Sequence, residues 1–196
     1  LPPTASVEQA AAQALAASEA PVYYVENSLL PGLFGLLFWE AIFAPVPGAF
    51  FHPFQSGPAD LHHPAFGQRR RAGFEAGFQA LTNGGHRALI LARYREKFGR
   101  LSPFVHWGRL SAALLEQALD CVPADHLALC FERLLDDIAA NRAGLPDLIQ
   151  FWPAQRRYRM IEVKGPGDRL QDNQRRWLDF FIAHDLPVAV CQVAWR

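Results

Sequence analysis

The stretch Gly144-Leu145-Pro146-Asp147-Leu148-Ile149-Gln150-Phe151-Trp152, followed after Pro153-Ala154-Gln155 by Tyr158-Arg159-Met160-Ile161-Glu162-Val163-Lys164, decides the reading of the fold. Before Gly144 apolar residues recur with a helical period; after it the period is two, which marks strands. Leu148 to Trp152 is predicted as an apolar strand, Pro153-Ala154-Gln155 as a reversal, and Tyr158 to Lys164 as the second arm of a hairpin. Gly165-Pro166-Gly167 reads as a turn, and Asp168 as the cap of a helix from Arg169, with Leu170, Trp177, Leu178, Phe181 and Ile182 on one stripe. Pro187 precedes a last strand, Val188 to Val193. The C-terminal order is strand, strand, helix, strand.

Upstream the pattern is helical. Asn27 through Phe43 is almost entirely apolar, with Pro31 in the first turn where proline is tolerated. A helix apolar on every side is expected to be buried. Residues 50–68 read as ordered loop, and Arg69 to Arg142 as several short helices interrupted at Asn83-Gly84-Gly85, Ser102-Pro103 and Val122-Pro123. Residues 5–20 are Ala-rich and helix-prone, read as the tail of an upstream helical region. The aromatic residues are spread through apolar stripes and read as core, not as a base-stacking platform.

At 196 residues and 51% hydrophobic, the chain has the size and apolar content of one folded domain or a tight pair. No run approaches a membrane span. Met160 is the single methionine, so the sequence reads as a piece of a longer protein. Three cysteines, Cys121, Cys130 and Cys191, cannot all pair and lack zinc-site spacing, which favours a reducing cytosol. The net charge of zero hides an asymmetry: residues 1–66 carry five acids and no Lys or Arg, whereas residues 67–109 carry nine bases and two acids. Local charge is what a polyanion binder needs. Arg69, Arg70, Arg71, Arg93, Arg95 and Lys97 are candidate phosphate contacts, with a solvated basic helix face as the competing account and Arg156, Arg157, Arg175 and Arg176 as the alternative site.

The chemistry concentrates in the hairpin. Side chains alternate faces along a strand, so Glu162 and Lys164 should point the same way, with Asp147 brought beside them by the pairing of the arms. Two carboxylates and an ammonium would converge at the edge of a small sheet. Mg²⁺ takes oxygen ligands and usually accepts one or two protein carboxylates beside waters and phosphate oxygens. Asp147, Glu162 and the backbone carbonyl of Val163 supply such a set, and Lys164 can stabilise charge on phosphorus or position a water. An exposed Glu162–Lys164 ion pair is the plain alternative. Against it stand Asp147 at the lip of an apolar strand, the use of only two lysines beside 17 arginines, and Gln174 four residues from both Leu170 and Leu178, aimed at the same edge. His62-His63 with Asp60 lacks a second ligand cluster and reads as loop.

Gly144-Leu145-Pro146-Asp147-Leu148, then Glu162-Val163-Lys164-Gly165-Pro166, Asp168-Arg169-Leu170 and Gln174, resembles the VRR-NUC branch of the PD-(D/E)XK nucleases. Glu26-Asn27-Ser28, Leu33-Phe34-Gly35-Leu36-Leu37-Phe38-Trp39-Glu40, Pro53-Phe54-Gln55 and Pro58-Ala59-Asp60-Leu61 are similar to the Fanconi-associated nucleases within it. The resemblance implies a restriction-endonuclease-like α/β fold: a small central mixed sheet flanked by helices, with a helical insertion at 45–142 between the first helix and the catalytic hairpin at 143–196. It implies a Mg²⁺- or Mn²⁺-dependent enzyme, with one ion or two, cutting branched and 5′-flap DNA and degrading 5′ to 3′ in interstrand crosslink repair. The site implied is Asp147, Glu162 and Lys164, with Gln174 from the next helix and Glu26 as a further metal-binding acid. Upstream domains of the parent chain are the implied partners, and the location is bacterial cytoplasm at the nucleoid or a eukaryotic nucleus. Two other functions compete: a non-catalytic DNA-binding module and a Holliday-junction resolvase. A resolvase needs a symmetric dimer, whereas helices at 45–142 would cover the pairing surface and leave a monomer. Glu26 is preferred to Glu40 as the extra acid because it would sit at a helix N-terminus, where the dipole favours negative charge and Asn27 and Ser28 could cap.

Overall fold

The computed structural model describes residues 6–194. Its sheet has four strands, β1 (Val22–Tyr24), β2 (Leu148–Trp152), β3 (Arg157–Lys164) and β4 (Val188–Gln192), in the order β1-β2-β3-β4. The first three are antiparallel neighbours, with Leu148 opposite Ile161 in the hairpin, and β4 joins β3 in parallel. Parallel neighbours need a crossover, which here carries a helix. The mixed sheet of the sequence reading is therefore present, with one strand more than expected. The short run Val22-Tyr23-Tyr24, β-branched and aromatic, pairs with Leu148–Gln150.

There are ten helices among the described residues: α1 (Val7–Leu15), α2 (Leu29–Leu37), α3 (Trp39–Ile42), α4 (Phe66–Arg69), α5 (Arg71–Thr82), α6 (His86–Lys97), α7 (Ala112–Cys121), α8 (Ala124–Asp136), α9 (Ile138–Asn141) and α10 (Asp172–Ala183). None is long and apolar enough to cross a membrane. The breaks fall at the Asn-Gly-Gly, Ser-Pro and Val-Pro sites, where φ > 0 or a missing N–H ends a helix.

Two compact units result. The sheet unit gathers the described residues up to Asn27, Gln117–Val122 and those from Arg142 onward. In it Ala11, Leu148, Ile161 and Val163 form a buried cluster, with Val7, Ala12, Leu15 and Val22 packed around it. Thus α1, expected as the tail of an upstream region, is part of the layer that covers the sheet. It begins with a capping box, Ser6 and Gln9 bonding each other's backbone N–H.

The helical unit comprises Ser28–Glu116 and Pro123–Asn141. It starts at residue 28, not 45, because the buried apolar helix packs with the helices that follow it. Phe34 is its hub, with ring centroids of Phe38, Phe104 and Phe131 at 4.8, 5.0 and 5.8 Å. Gly35 lets this happen: a Cβ there would stand 2.7 Å from that of Phe104. The helix predicted as continuous from Asn27 to Phe43 starts at Leu29 and breaks at Phe38, and Asn27 is left-handed at φ 49°.

Candidate active site

Asp147 and Glu162 stand on neighbouring arms of the hairpin. β3 is an inner strand, so the pair is not at a sheet edge: Glu162 is 0% exposed, Asp147 and Lys164 both 7%. The alternative of an exposed ion pair fails on this burial. Asp147 Oδ2 accepts from the backbone N–H of Val163 at 2.8 Å, which locks the carboxylate to the strand carrying the other two groups. Its backbone carbonyl accepts from the N–H groups of both Val25 and Glu26, at 2.8 and 3.1 Å. One residue thus ties β3 to the loop that follows β1.

Lys164 Nζ lies 2.8 Å from Glu162 Oε1 and donates to Gln174 Oε1 at 2.9 Å. Gln174 reaches it by a different route from the one predicted. The helix does not start at Arg169; Asp168 instead accepts from Gly165 N–H at 2.9 Å and closes the turn, and α10 begins at Asp172 with Gln171 as N-cap. Gln174 is therefore a first-turn residue, its Oε1 also accepting from Gln171 N–H at 3.0 Å. Trp177, Leu178 and Phe181 are buried as predicted, whereas Ile182 is exposed.

Glu26 lies three residues before α2, not on it. Ser28 makes no capping bond, and Asn27 uses its Oδ1 to accept from Leu145 N–H at 3.1 Å. The Glu26 carboxylate is held by the hydroxyl of Tyr24 and, at 3.4 Å, by Asn27 Nδ2. Tyr24 and the β1 strand that carries it were missed from sequence; the alternation Val22-Tyr23-Tyr24 just before Glu26 was the available signal. Glu40 instead pairs with Lys97 at 3.4 Å within the helical unit.

The electrostatics follow from burial. Loss of water pushes the Glu162 carboxyl up to about 7, opposed by the contact with Lys164 and reinforced by Asp147 and Glu26. Asp147 is also raised, chiefly by burial; the Val163 N–H and Lys164 work against this, and Glu26 and Glu8 add to it. Glu162 Oε2 accepts no hydrogen bond among the described residues. A buried carboxylate pair with one ammonium between them has more negative charge than it can neutralise, which is the donor set a hard divalent cation fits. Among the described residues no three Asp, Glu, His or Cys side chains enclose a metal by themselves. Two carboxylates completed by water and phosphate oxygens match magnesium chemistry better than a closed protein cage.

The basic residues divide. Arg70, a predicted phosphate contact, is buried in a two-pronged pair with Asp60 at 2.7 and 2.9 Å and lies over the Phe66 ring. Arg69 shares that carboxylate, which holds Asp60 well below its usual range, the Arg70 bond being the main cause. Arg93 donates to the backbone carbonyls of Leu36 and Leu37 at the end of α2, and Lys97 pairs with Glu40 and Glu96. These are structural commitments. Arg71, paired only with Glu75 on the surface, and Arg95 remain exposed, as do Arg175 and Arg176 on α10.

Comparison with known proteins bears on this arrangement. The family model for the VRR-NUC domain matches residues 81–195, more than half of the chain. The chain belongs to the VRR-NUC family. It is 65% identical over 191 residues to the Fanconi-associated nuclease 1 homolog of Pseudomonas aeruginosa, covering 97% of this chain and 34% of that protein. With human Fanconi-associated nuclease 1 it shares 34% identity over 175 residues, 86% of this chain and 17% of the human one. Crystal structures of paFAN1 bound to gapped DNA with two-nucleotide and one-nucleotide 5′ flaps superpose with TM-scores of 0.97 and 0.96 at 64% identity, over 98% of this chain and 35% of theirs. The restriction-endonuclease-like architecture expected from the resemblance is the one observed. The VRR-NUC chain spans about a third of the length of these bacterial relatives.

Proposed function

We propose that this VRR-NUC chain is the hydrolytic module of a structure-selective DNA nuclease that cuts phosphodiester bonds at 5′ flaps and related branches. The carrying observation is the buried meeting of Asp147, just before β2, with Glu162 and Lys164 of β3, locked by the Asp147–Val163 bond. The likeness to a protein crystallised on 5′-flap DNA supports the substrate. The resemblance of the motif residues to the Fanconi-associated nucleases extends this reading to interstrand crosslink repair, with 5′ to 3′ degradation beside flap cutting.

Asp147, Glu162, the carbonyl of Val163 and, from the loop after β1, Glu26 would hold Mg²⁺ or Mn²⁺, one ion or two. Such an ion supplies Lewis acidity toward a phosphate oxygen and acidifies a bound water. Lys164, fixed between Glu162 and Gln174, orients the attacking water and offsets charge growing on phosphorus. Gln174 positions Lys164. The exposed Arg71, Arg95, Arg175 and Arg176 contact phosphates, in place of Arg70 and Arg93. The module acts as a monomer, since an asymmetric flap makes no use of two-fold symmetry.

The test is release of labelled product from a 5′-flap duplex in Mn²⁺, with EDTA as control. Asp147→Ala and Glu162→Ala should abolish release yet keep DNA binding, because each loses a cation ligand and a charge that repels phosphate. Release at near wild-type rate by either variant would refute the assignment. Binding without release by the wild type would favour a DNA-binding module instead.

A further inference from the structure

A groove of about 840 Å³ in the helical unit is lined by none of Asp147, Glu162, Lys164, Gln174 and Glu26. Its floor is a short ladder of rings: Trp39 and Phe43 stack at 4.8 Å and 27°, and Phe43 and Phe50 at 6.0 Å and 21°. Its lip is Phe51, 75% exposed, and Phe54, 81% exposed. Aromatics were expected to be core, and Phe34, Phe38, Phe104 and Phe131 are; these two are not.

The loop that presents them is built, not slack. Gln55 Oε1 accepts from Phe51 N–H at 2.9 Å, while its Nε2 donates to the carbonyls of Ala49 and Gly57, both at 2.9 Å. One side chain therefore satisfies the loop's interior and leaves two phenyl rings facing water. Exposed rings contribute nothing to folding, so a rigid loop that displays them is shaped for a ligand. Arg100 and Lys97 stand on the same rim, Lys97 held there by Glu40 at 3.4 Å and Glu96 at 2.8 Å.

We propose that this groove binds single-stranded DNA, the bases stacking on Phe51 and Phe54 and the phosphates running along Arg100. Exposed rings beside a cation are what sequence-independent single-strand binding uses. The proposal deepens the nuclease reading and rests on it: the strand held is the unpaired arm of the branched substrate.

The test compares affinities of the full chain for a short oligothymidylate and for a blunt duplex, by fluorescence anisotropy in EDTA. Phe51→Leu and Phe54→Leu keep apolar bulk but remove the ring. Each should lower the ratio of single-strand to duplex affinity about tenfold, the size of one base–aromatic stack. Phe54→Trp should hold or raise that ratio. Unchanged ratios in both Leu variants overturn the proposal. So does loss of binding to another protein, or to another part of a longer chain, in the Leu variants with single-strand affinity intact, which would make the groove a protein contact. Flap cleavage by the wild type is scored separately. If cleavage occurs and the ratios do not move, only the groove assignment fails; if no flap is cut, the nuclease reading fails whatever the ratios do.

Discussion

Glu162→Gln should make the metal-free protein more stable while silencing its site. Glu162 is wholly inaccessible, and its carboxyl is pushed from an ordinary 4.5 to about 7, first by burial. Between those values the folded carboxyl keeps a proton that the unfolded chain has released. The unfolded state then binds fewer protons, so stability falls as pH rises through the window. The gap between 4.5 and about 7, at ~1.4 kcal/mol per pH unit, sets an upper bound of ~3–4 kcal/mol. Asp147 titrates in the same field, so a measured loss of ~1–3 kcal/mol is expected. Glutamine copies the neutral carboxyl, keeps an acceptor for Lys164, and cannot ionise. At about pH 8 the variant should therefore exceed wild type by that amount, and near pH 4.5 the two should match. Urea denaturation in EDTA reads the difference as a higher midpoint at unchanged slope. Added Mn²⁺ should stabilise wild type and leave the variant nearly unmoved. A variant no more stable than wild type at about pH 8, or one that retains the wild-type fall in stability across the window, would refute the argument from burial.

Lys164→Arg should cut flaps at least ~10-fold more slowly in single turnover, because a broad guanidinium does not replace a compact ammonium between Glu162 and Gln174; full activity would reduce lysine to generic charge. Arg70→Ala should cost ~1–3 kcal/mol in urea denaturation, since Asp60 keeps Arg69 but loses its two-pronged partner and Phe66 loses the group above its ring. Arg71→Ala should leave the urea midpoint unchanged and instead make DNA binding less salt-dependent. Gly144→Ala should cost ~1–3 kcal/mol in thermal unfolding and slow cleavage: φ is +87°, and a Cβ would stand 2.6 Å from the backbone carbon of Asn173. In calorimetric Mn²⁺ titration, Glu26→Gln should weaken binding and Glu40→Gln should not, Glu40 being committed to Lys97; the opposite result would exclude Glu26 from the metal.

Much of this molecule is legible locally. The hairpin follows from period-two alternation around Pro153, since a strand's faces alternate regardless of what it packs on. The helix breaks follow from proline and glycine chemistry. Asp147, Glu162 and Lys164 are legible because register along one hairpin is a short-range property. What needed the tertiary structure is everything set by residues far apart in the chain. β1 is three residues long and exists only because Leu148–Gln150 completes its ladder more than a hundred residues later. Glu26 owes its place to the bonds that its own N–H and that of Val25 donate to the Asp147 carbonyl, rather than to a helix dipole. Arg70 reads from sequence as one of three surface cations, and only its burial against Asp60 and Phe66 separates it from Arg71. Phe51 and Phe54 show the converse: hydrophobicity alone says core, but Gln55 closes the loop behind them and leaves both rings in water. Periodicity determines which residues can share a face; whether that face meets solvent, a carboxylate or a ring is decided by the rest of the chain.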